Sequence, residues 1–226
     1  MKRFRYAYLL ASLCLVVFAR PFIVGQIAGL TAVDALLFVT LLAGAYASVD
    51  QRRSFVAIAS IGAVSIIFQI VLLATESNAW AFAFLLAALS FYGVVAWSLL
   101  RTLFGAQRRV TRDTLCQAMS VYMLLGLLGA MAYSLLELSA PGSFQFATPR
   151  SDSHDRFDRF LGFSFTTLTT LGYGNIAPAT PRADAIATFQ AVAGQVYLAV
   201  VIARLVAIQV GQRAEGGSEA DTPGSG

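Results

Sequence analysis

Charge is scarce in this sequence. Lys, Arg, Asp and Glu supply 12% of its 226 residues, hydrophobic residues supply 58%, and mean hydropathy is +0.70. A soluble domain carries about a quarter of its residues as charges, so this composition excludes a freely dispersed globule and makes lipid the principal solvent. Histidine and cysteine are nearly absent, at one and two copies. Cys14 lies inside one apolar run and Cys116 at the start of another, so both read as small packing residues without redox chemistry. The lone His154 sits in a polar stretch and reads as solvated rather than as a metal ligand or pH sensor. The sequence holds no cluster of deep carboxylates, no nucleophile beside a base and no phosphate-binding loop. Those absences argue against an enzyme, an organic cofactor, and a transporter that needs ionisable groups inside its bundle. Net charge is +4 with pI 9.3. Basic residues at membrane-helix ends account for that excess, and no nucleic-acid partner is expected.

What the sequence does have is long apolar runs. A span needs about 20 mostly apolar residues, and six stretches qualify: roughly 6–25, 30–48, 54–74, 79–103, 115–138 and 184–210. The first follows Met1-Lys2-Arg3-Phe4-Arg5 as a secretory signal would. Yet Phe18-Ala19-Arg20-Pro21 offers no small-x-small cleavage site, so it is taken as a retained helix. Between the fifth and sixth runs, residues 139–160 are polar and turn-rich, and 160–171 form an apolar segment too short to cross. A short helix that enters and returns as extended chain fits that pattern. Such a backbone is tolerated at membrane depth only where protein or a water-filled path surrounds it.

Basic residues set the orientation. Lys2, Arg3, Arg5, Arg52, Arg53, Arg101, Arg108, Arg109, Arg112 and Arg213 fall on one side of such a six-span chain. The other side has Arg150, Arg156, Arg159 and Arg182, accompanied by Asp152, Asp155, Asp158 and Asp184. Both termini are therefore expected in the cytoplasm, with the re-entrant loop entering a plasma (inner) membrane from outside. The expected fold is all-α and integral to the membrane, with a re-entrant pore helix and filter loop between the fifth and sixth spans. Residues 1–110 form a four-helix transmembrane domain, 111–213 a pore domain and 214–226 a disordered tail.

One motif carries chemistry. To pass potassium, a protein must replace the ion's water with oxygens of similar number and field, which rings of backbone carbonyls provide. Turning successive carbonyls to one axis requires positive φ at some positions, and glycine adopts it at little cost. In Thr170-Leu171-Gly172-Tyr173-Gly174 two glycines alternate with larger side chains, and Tyr173 has the bulk and the hydroxyl to wedge the outer half. The stretch Phe165-Thr166-Thr167-Leu168-Thr169-Thr170-Leu171-Gly172-Tyr173-Gly174-Asn175-Ile176-Ala177-Pro178 resembles the pore signature of tetrameric potassium channels. The resemblance implies that the Thr170 hydroxyl and the carbonyls of Thr170, Leu171, Gly172 and Tyr173 coordinate K+, with Gly174 at the outer mouth. It implies a pore helix at about Phe160–Thr169, support of the filter by Thr166, Thr169 and Asn175, and a homotetramer, since one loop supplies a quarter of each ring. Leu171 stands where the family usually has Val or Ile, Asn175 where it has Asp, and Thr166 where some relatives have Glu. A neutral hydrogen-bond arrangement must then replace a buried carboxyl pair behind the filter.

The resemblance reaches the last span. Gly194 lies where the family often has a hinge, although a glycine in a membrane helix also serves close packing. At helical spacing Gln195, Leu198 or Ala199, and Ile202 form a stripe able to face the ion path, with Leu198 and Ile202 as an apolar constriction. Arg204, near the cytoplasmic end, is expected to snorkel to headgroups rather than to act in gating. A voltage-sensing fourth helix carries Arg or Lys at every third position. Here the fourth span has only Arg101, at its end, so steep voltage sensing is not expected. Arg20 and Asp34 either pair or snorkel separately. Glu137 either hydrogen-bonds the back of the loop or faces external water. The short basic connection Gly105–Asp113 favours packing of the four-helix unit on its own subunit's pore, and its charges suit anionic lipid. The expected function is a potassium-selective channel subunit with K+, the bilayer and its own copies as partners. A non-selective or non-conducting pore-loop subunit and a membrane transporter are the alternatives.

Overall fold

In the computed structural model the described residues are 5–23, 78–105, 110–148 and 153–220. The second and third expected spans, and Asp34 with them, lie outside these residues, as do the side chains of Arg20 and His154.

Five helices and two short strands make up the described chain: α1 (Arg5–Ile23), α2 (Asn78–Phe104), α3 (Arg112–Ser139), β1 (Phe144–Phe146), α4 (Ser153–Leu168), β2 (Ile176–Pro178) and α5 (Pro181–Ala220). Three helical segments are long and apolar enough to cross a membrane: Ala79–Phe104, Arg112–Ser139 and Pro181–Gly211. α1 contributes a shorter apolar helix, Tyr6–Leu15.

Local chemistry fixes where the long helices begin. The Thr111 hydroxyl accepts from the Thr114 amide at 3.3 Å, and Thr114 Oγ1 accepts from the Thr111 amide at 3.3 Å. This reciprocal cap satisfies donors that the first turn of α3 would otherwise leave open, and Asp113 complements the helix dipole there. α5 starts at Pro181, whose missing N–H costs nothing at a first helical position. Its cap is Thr180, whose hydroxyl accepts from the Ala183 amide at 3.4 Å.

The second of these, α3, is the hub, against which α1, α2, α4 and α5 all pack. Leu13 of α1, Val95 and Leu99 of α2, Leu124 and Leu127 of α3, and Val201 of α5 share one buried cluster. Polar ties run through the same contact. Gln117 Nε2 donates to the Leu99 carbonyl at 2.8 Å, joining α3 to α2, and the Tyr197 hydroxyl donates to the Ala118 carbonyl at 2.6 Å, joining α5 to α3.

At the other end of α3, Tyr133, Phe144, Phe160, Phe163 and Ile176 form a second core. The Phe144 and Phe160 rings meet edge to face, with centroids 4.9 Å apart. This core supports the antiparallel pair β1–β2, in the register Phe144 opposite Pro178, Gln145 opposite Ala177 and Phe146 opposite Ile176. Two three-residue strands are too small to persist alone, so the aromatic cluster beneath them is what holds the ribbon. The described chain is otherwise helical.

Two expected boundaries change. The short helix begins at Ser153 rather than near Phe160, so the polar stretch expected as loop is partly helical. Asp155 and Asp158 fall in its first two turns, where carboxylates favour the positive end of a helix. Residues 214–220, expected as disordered tail, continue α5 to Ala220; Ala214, Glu215 and Glu219 are residue types compatible with that extension.

Candidate functional site

α4 ends at Leu168, and Thr169–Asn175 carries the chain to β2. The turn out of the helix is made by backbone bonds. The amides of Leu171 and Gly172 both donate to the Thr166 carbonyl, at 2.8 and 3.2 Å, and Thr170 N donates to the Thr167 carbonyl at 3.0 Å. Thr166 therefore supports the segment through its carbonyl; its hydroxyl turns back to the Phe163 carbonyl at 2.9 Å. The Thr169 hydroxyl likewise donates to the Phe165 carbonyl at 2.7 Å. Asn175 is exposed, and its carbonyl accepts the Ala147 amide at 3.0 Å, pinning the far end of the segment to the chain beyond β1.

Between these two anchors φ is positive at every second residue: +59° at Thr170, +56° at Gly172 and +75° at Gly174. In a strand successive carbonyls point to opposite sides, and reversing the sign of φ at alternate residues removes that alternation. A Cβ added at Gly172 or Gly174 would meet nothing within 4 Å, so conformation rather than space requires glycine there. Thr170 takes the same left-handed geometry despite a β-branched side chain, a strain of about 1–2 kcal/mol. Its hydroxyl donates to the Thr169 carbonyl at 2.6 Å, which leaves the oxygen's lone pairs available as acceptors.

The last carbonyl of α4 is a convergence point. Leu168 O accepts from the Tyr122 hydroxyl of α3 at 3.3 Å and from Gln195 Nε2 of α5 at 3.4 Å. Gly194 lies directly against it, since a Cβ there would sit 2.6 Å from the same oxygen. The structure thus gives Gly194 the close-packing role. Along α5, Gln195, Ala199 and Ile202 are exposed on one face, while Leu198 turns partly into the core shared with α3. Of the two residues weighed at that turn of the stripe, Ala199 is the one on the open face.

Behind α4 lies a buried network that the sequence reading did not name. The Tyr133 hydroxyl donates to Gln190 Oε1. Gln190 Nε2 donates to Ser164 Oγ at 2.6 Å and to the Leu125 carbonyl at 3.4 Å, and Ser164 Oγ donates to the Gly126 carbonyl at 2.5 Å. One uncharged chain thereby joins α3, α4 and α5. Gly129 makes room for it, because a Cβ at that position would stand 2.5 Å from Ser164 Oγ. The sequence signal was available: Gln190 is an isolated amide in an apolar run, and such residues bond across helices.

Glu137 takes the first of its two expected roles in modified form. It is buried, and its carboxylate oxygens accept the amides of Gly142 and Phe144 at 3.1 and 3.2 Å, ordering the turn that leads into β1. Arg159 lies over the Phe146 ring at 4.8 Å and donates to Thr148 Oγ1 at 2.5 Å, adding a clamp between α4 and the residues after β1.

With this geometry in hand, the comparison with known families is direct. Residues 114–210 match the model of a family described as an ion channel. The match covers less than half of the chain and is a likeness to that family. The matched region runs from the first turn of α3 to the apolar part of α5 and contains every contact of the Thr169–Asn175 segment described above. That family is not an enzyme class. Among the described residues three helices are long and apolar enough to cross a membrane, and with this match they point to an integral membrane protein. Neither the curated proteins nor the solved structures contain a match to the chain.

Proposed function

We propose that this protein is one subunit of a homotetrameric, potassium-selective channel whose filter is Thr170–Gly174. The observation that carries the reading is the alternation of φ at Thr170, Gly172 and Gly174 in a segment held at both ends by hydrogen bonds. That backbone suits a column of inward carbonyls, and four copies around an axis complete each ring of oxygens. The surface supports several copies. Leu171 is 57% exposed and Tyr173 74% exposed, although both are residues that a filter must wedge in place. Phe189, Val192, Val196 and Ile202 of α5 are exposed as well, each above 50%. In a tetramer neighbouring subunits cover part of this surface, and the Gln195–Ala199–Ile202 face of α5 lines the ion path.

α4 is then the pore helix, and the negative end of its dipole points toward ions entering the filter. Donors from Tyr122 and Gln195 fix that end without supplying a charge. The neutral Tyr133–Gln190–Ser164 chain supports the filter in place of a carboxyl pair. Both termini lie in the cytoplasm of a cell with the channel in its plasma (inner) membrane, as the distribution of Lys and Arg indicates. Opening is not strongly voltage-gated, because α2 carries a single arginine, Arg101, in its last turn against Trp97.

Reconstitution into vesicles with K+ on one side and Na+ on the other tests the reading. A potassium-selective tetramer yields a reversal potential close to the K+ equilibrium value. A value near zero assigns the protein to non-selective pores instead.

A further inference from the structure

Toward the end of α5 remote from the Thr170–Gly174 segment, its apolar part carries Arg204. It lies 23 positions beyond Pro181, about 35 Å along the helix. Its guanidinium is held against the end of α2. Nη1 donates to the Leu103 carbonyl, Nη2 donates to the Gly105 carbonyl at 2.6 Å, and the group lies over the Phe104 ring at 5.1 Å. Leu103 and Phe104 are the last two residues of α2, and Gly105 follows it. The final carbonyls of a helix have no partner within it, and they form the negative end of its dipole. A planar, permanently charged fork that reaches two of them at once is chemistry that arginine supplies and lysine does not. Val201, Leu205 and Ile208 of α5, with Thr114 of α3, line the crevice around it. Nothing in the conduction site requires this contact.

We propose that Arg204 is a positioning residue that ties the gate-bearing end of α5 to the last turn of α2. Ile202 lies two residues away, so the exposed stripe there cannot shift sideways unless α2 follows or the tie breaks. α2 packs on α3, so the tie holds this end of α5 on the side away from its exposed Gln195–Ala199–Ile202 face, and favours conduction. Motion of α2 reaches α5 through this contact. The role rests on the reading of α5 as the pore-lining helix.

The test uses the full chain in vesicles, as wild type, Arg204→Gln and Arg204→Lys. Single-channel recording gives the open probability, and paired spin labels at Ser98 and Ile208 give the distance between α2 and α5. Arg204→Gln is expected to lower the open-to-closed ratio about tenfold, or about 1.4 kcal/mol, with unitary conductance and reversal potential unchanged. Arg204→Lys keeps the charge but bridges one carbonyl, and is expected to recover part of that loss. The label distance is expected to broaden in Arg204→Gln. Unaltered open probability in Arg204→Gln overturns the role in gating, and an unaltered distance distribution overturns the tie. The distance measurement needs no ion flux. If wild type carries no potassium current, the channel reading fails while the tie is still judged on its own.

Discussion

At the scale of single residues, the backbone of Thr170–Gly174 decides what each substitution does. Gly172 has open space around its Cα but a φ of +56°. Alanine there meets no clash and still costs about 1–2 kcal/mol of left-handed strain. Gly172→Ala is expected to leave the subunit folded and abolish potassium selectivity, read as a reversal potential that no longer follows the K+ gradient. Thr170 is the complementary case. Thr170→Gly relieves strain of that size but adds about 0.5–1 kcal/mol of backbone entropy to the unfolded chain. Its melting temperature is expected to stay within a few degrees of wild type, while loss of the hydroxyl lowers unitary potassium conductance severalfold. A fall in stability with conductance intact contradicts a coordinating role for that hydroxyl. The glycines and Thr170 were legible in the sequence because their demand is local: a φ sign and an oxygen. Gln190, Ser164 and Tyr133 were not read, because their roles exist only once three helices meet. Gln190→Leu removes the centre of that chain and takes the acceptor from the Tyr133 hydroxyl, while Ser164 keeps its bond to the Gly126 carbonyl, at about 1–3 kcal/mol for a buried group left unpaired. The expected result is a melting temperature lower than that of Ser164→Ala, measured by thermal unfolding in detergent.

At the scale of elements, hydropathy located the long helices well. The apolar runs 79–103, 115–138 and 184–210 correspond to α2, α3 and α5, since twenty apolar residues in lipid have one economical conformation. Short elements were less legible. The β1–β2 ribbon has three residues in each strand, too few to show a period of two, and it depends on Phe144, Phe160 and Phe163 packing beneath it. The start of α4 was misplaced because Ser153–Arg159 is polar, and an apolar criterion stops short of it. Helix contacts also bear on Gly194. A hinge glycine accepts alanine with little change in packing, but here the added carbon would stand 2.6 Å from the Leu168 carbonyl. Gly194→Ala is expected to push α5 from α4, loosening the Gln195 bond and lowering both stability and open-channel lifetime. A variant with wild-type stability and altered gating alone returns Gly194 to the hinge role.

At the scale of the whole molecule, the single chain leaves the parts that matter most uncovered. Leu171, Tyr173 and the Phe189–Val196 face of α5 are exposed, beside further exposed apolar residues on α1, α2 and α3. Several copies around one axis resolve this, and native mass determination in a mild detergent is expected to return four subunits. The charge distribution, the missing arginine ladder and the Arg204 tie all describe how such an assembly sits and moves; the filter describes what it passes. The most direct measurement is therefore the reversal potential of the reconstituted wild-type protein as the K+ ratio is varied against constant Na+. A shift of about 59 mV for each tenfold change in K+ ratio is the predicted result. A potential that stays near zero across the series, or no current that depends on K+, contradicts the account.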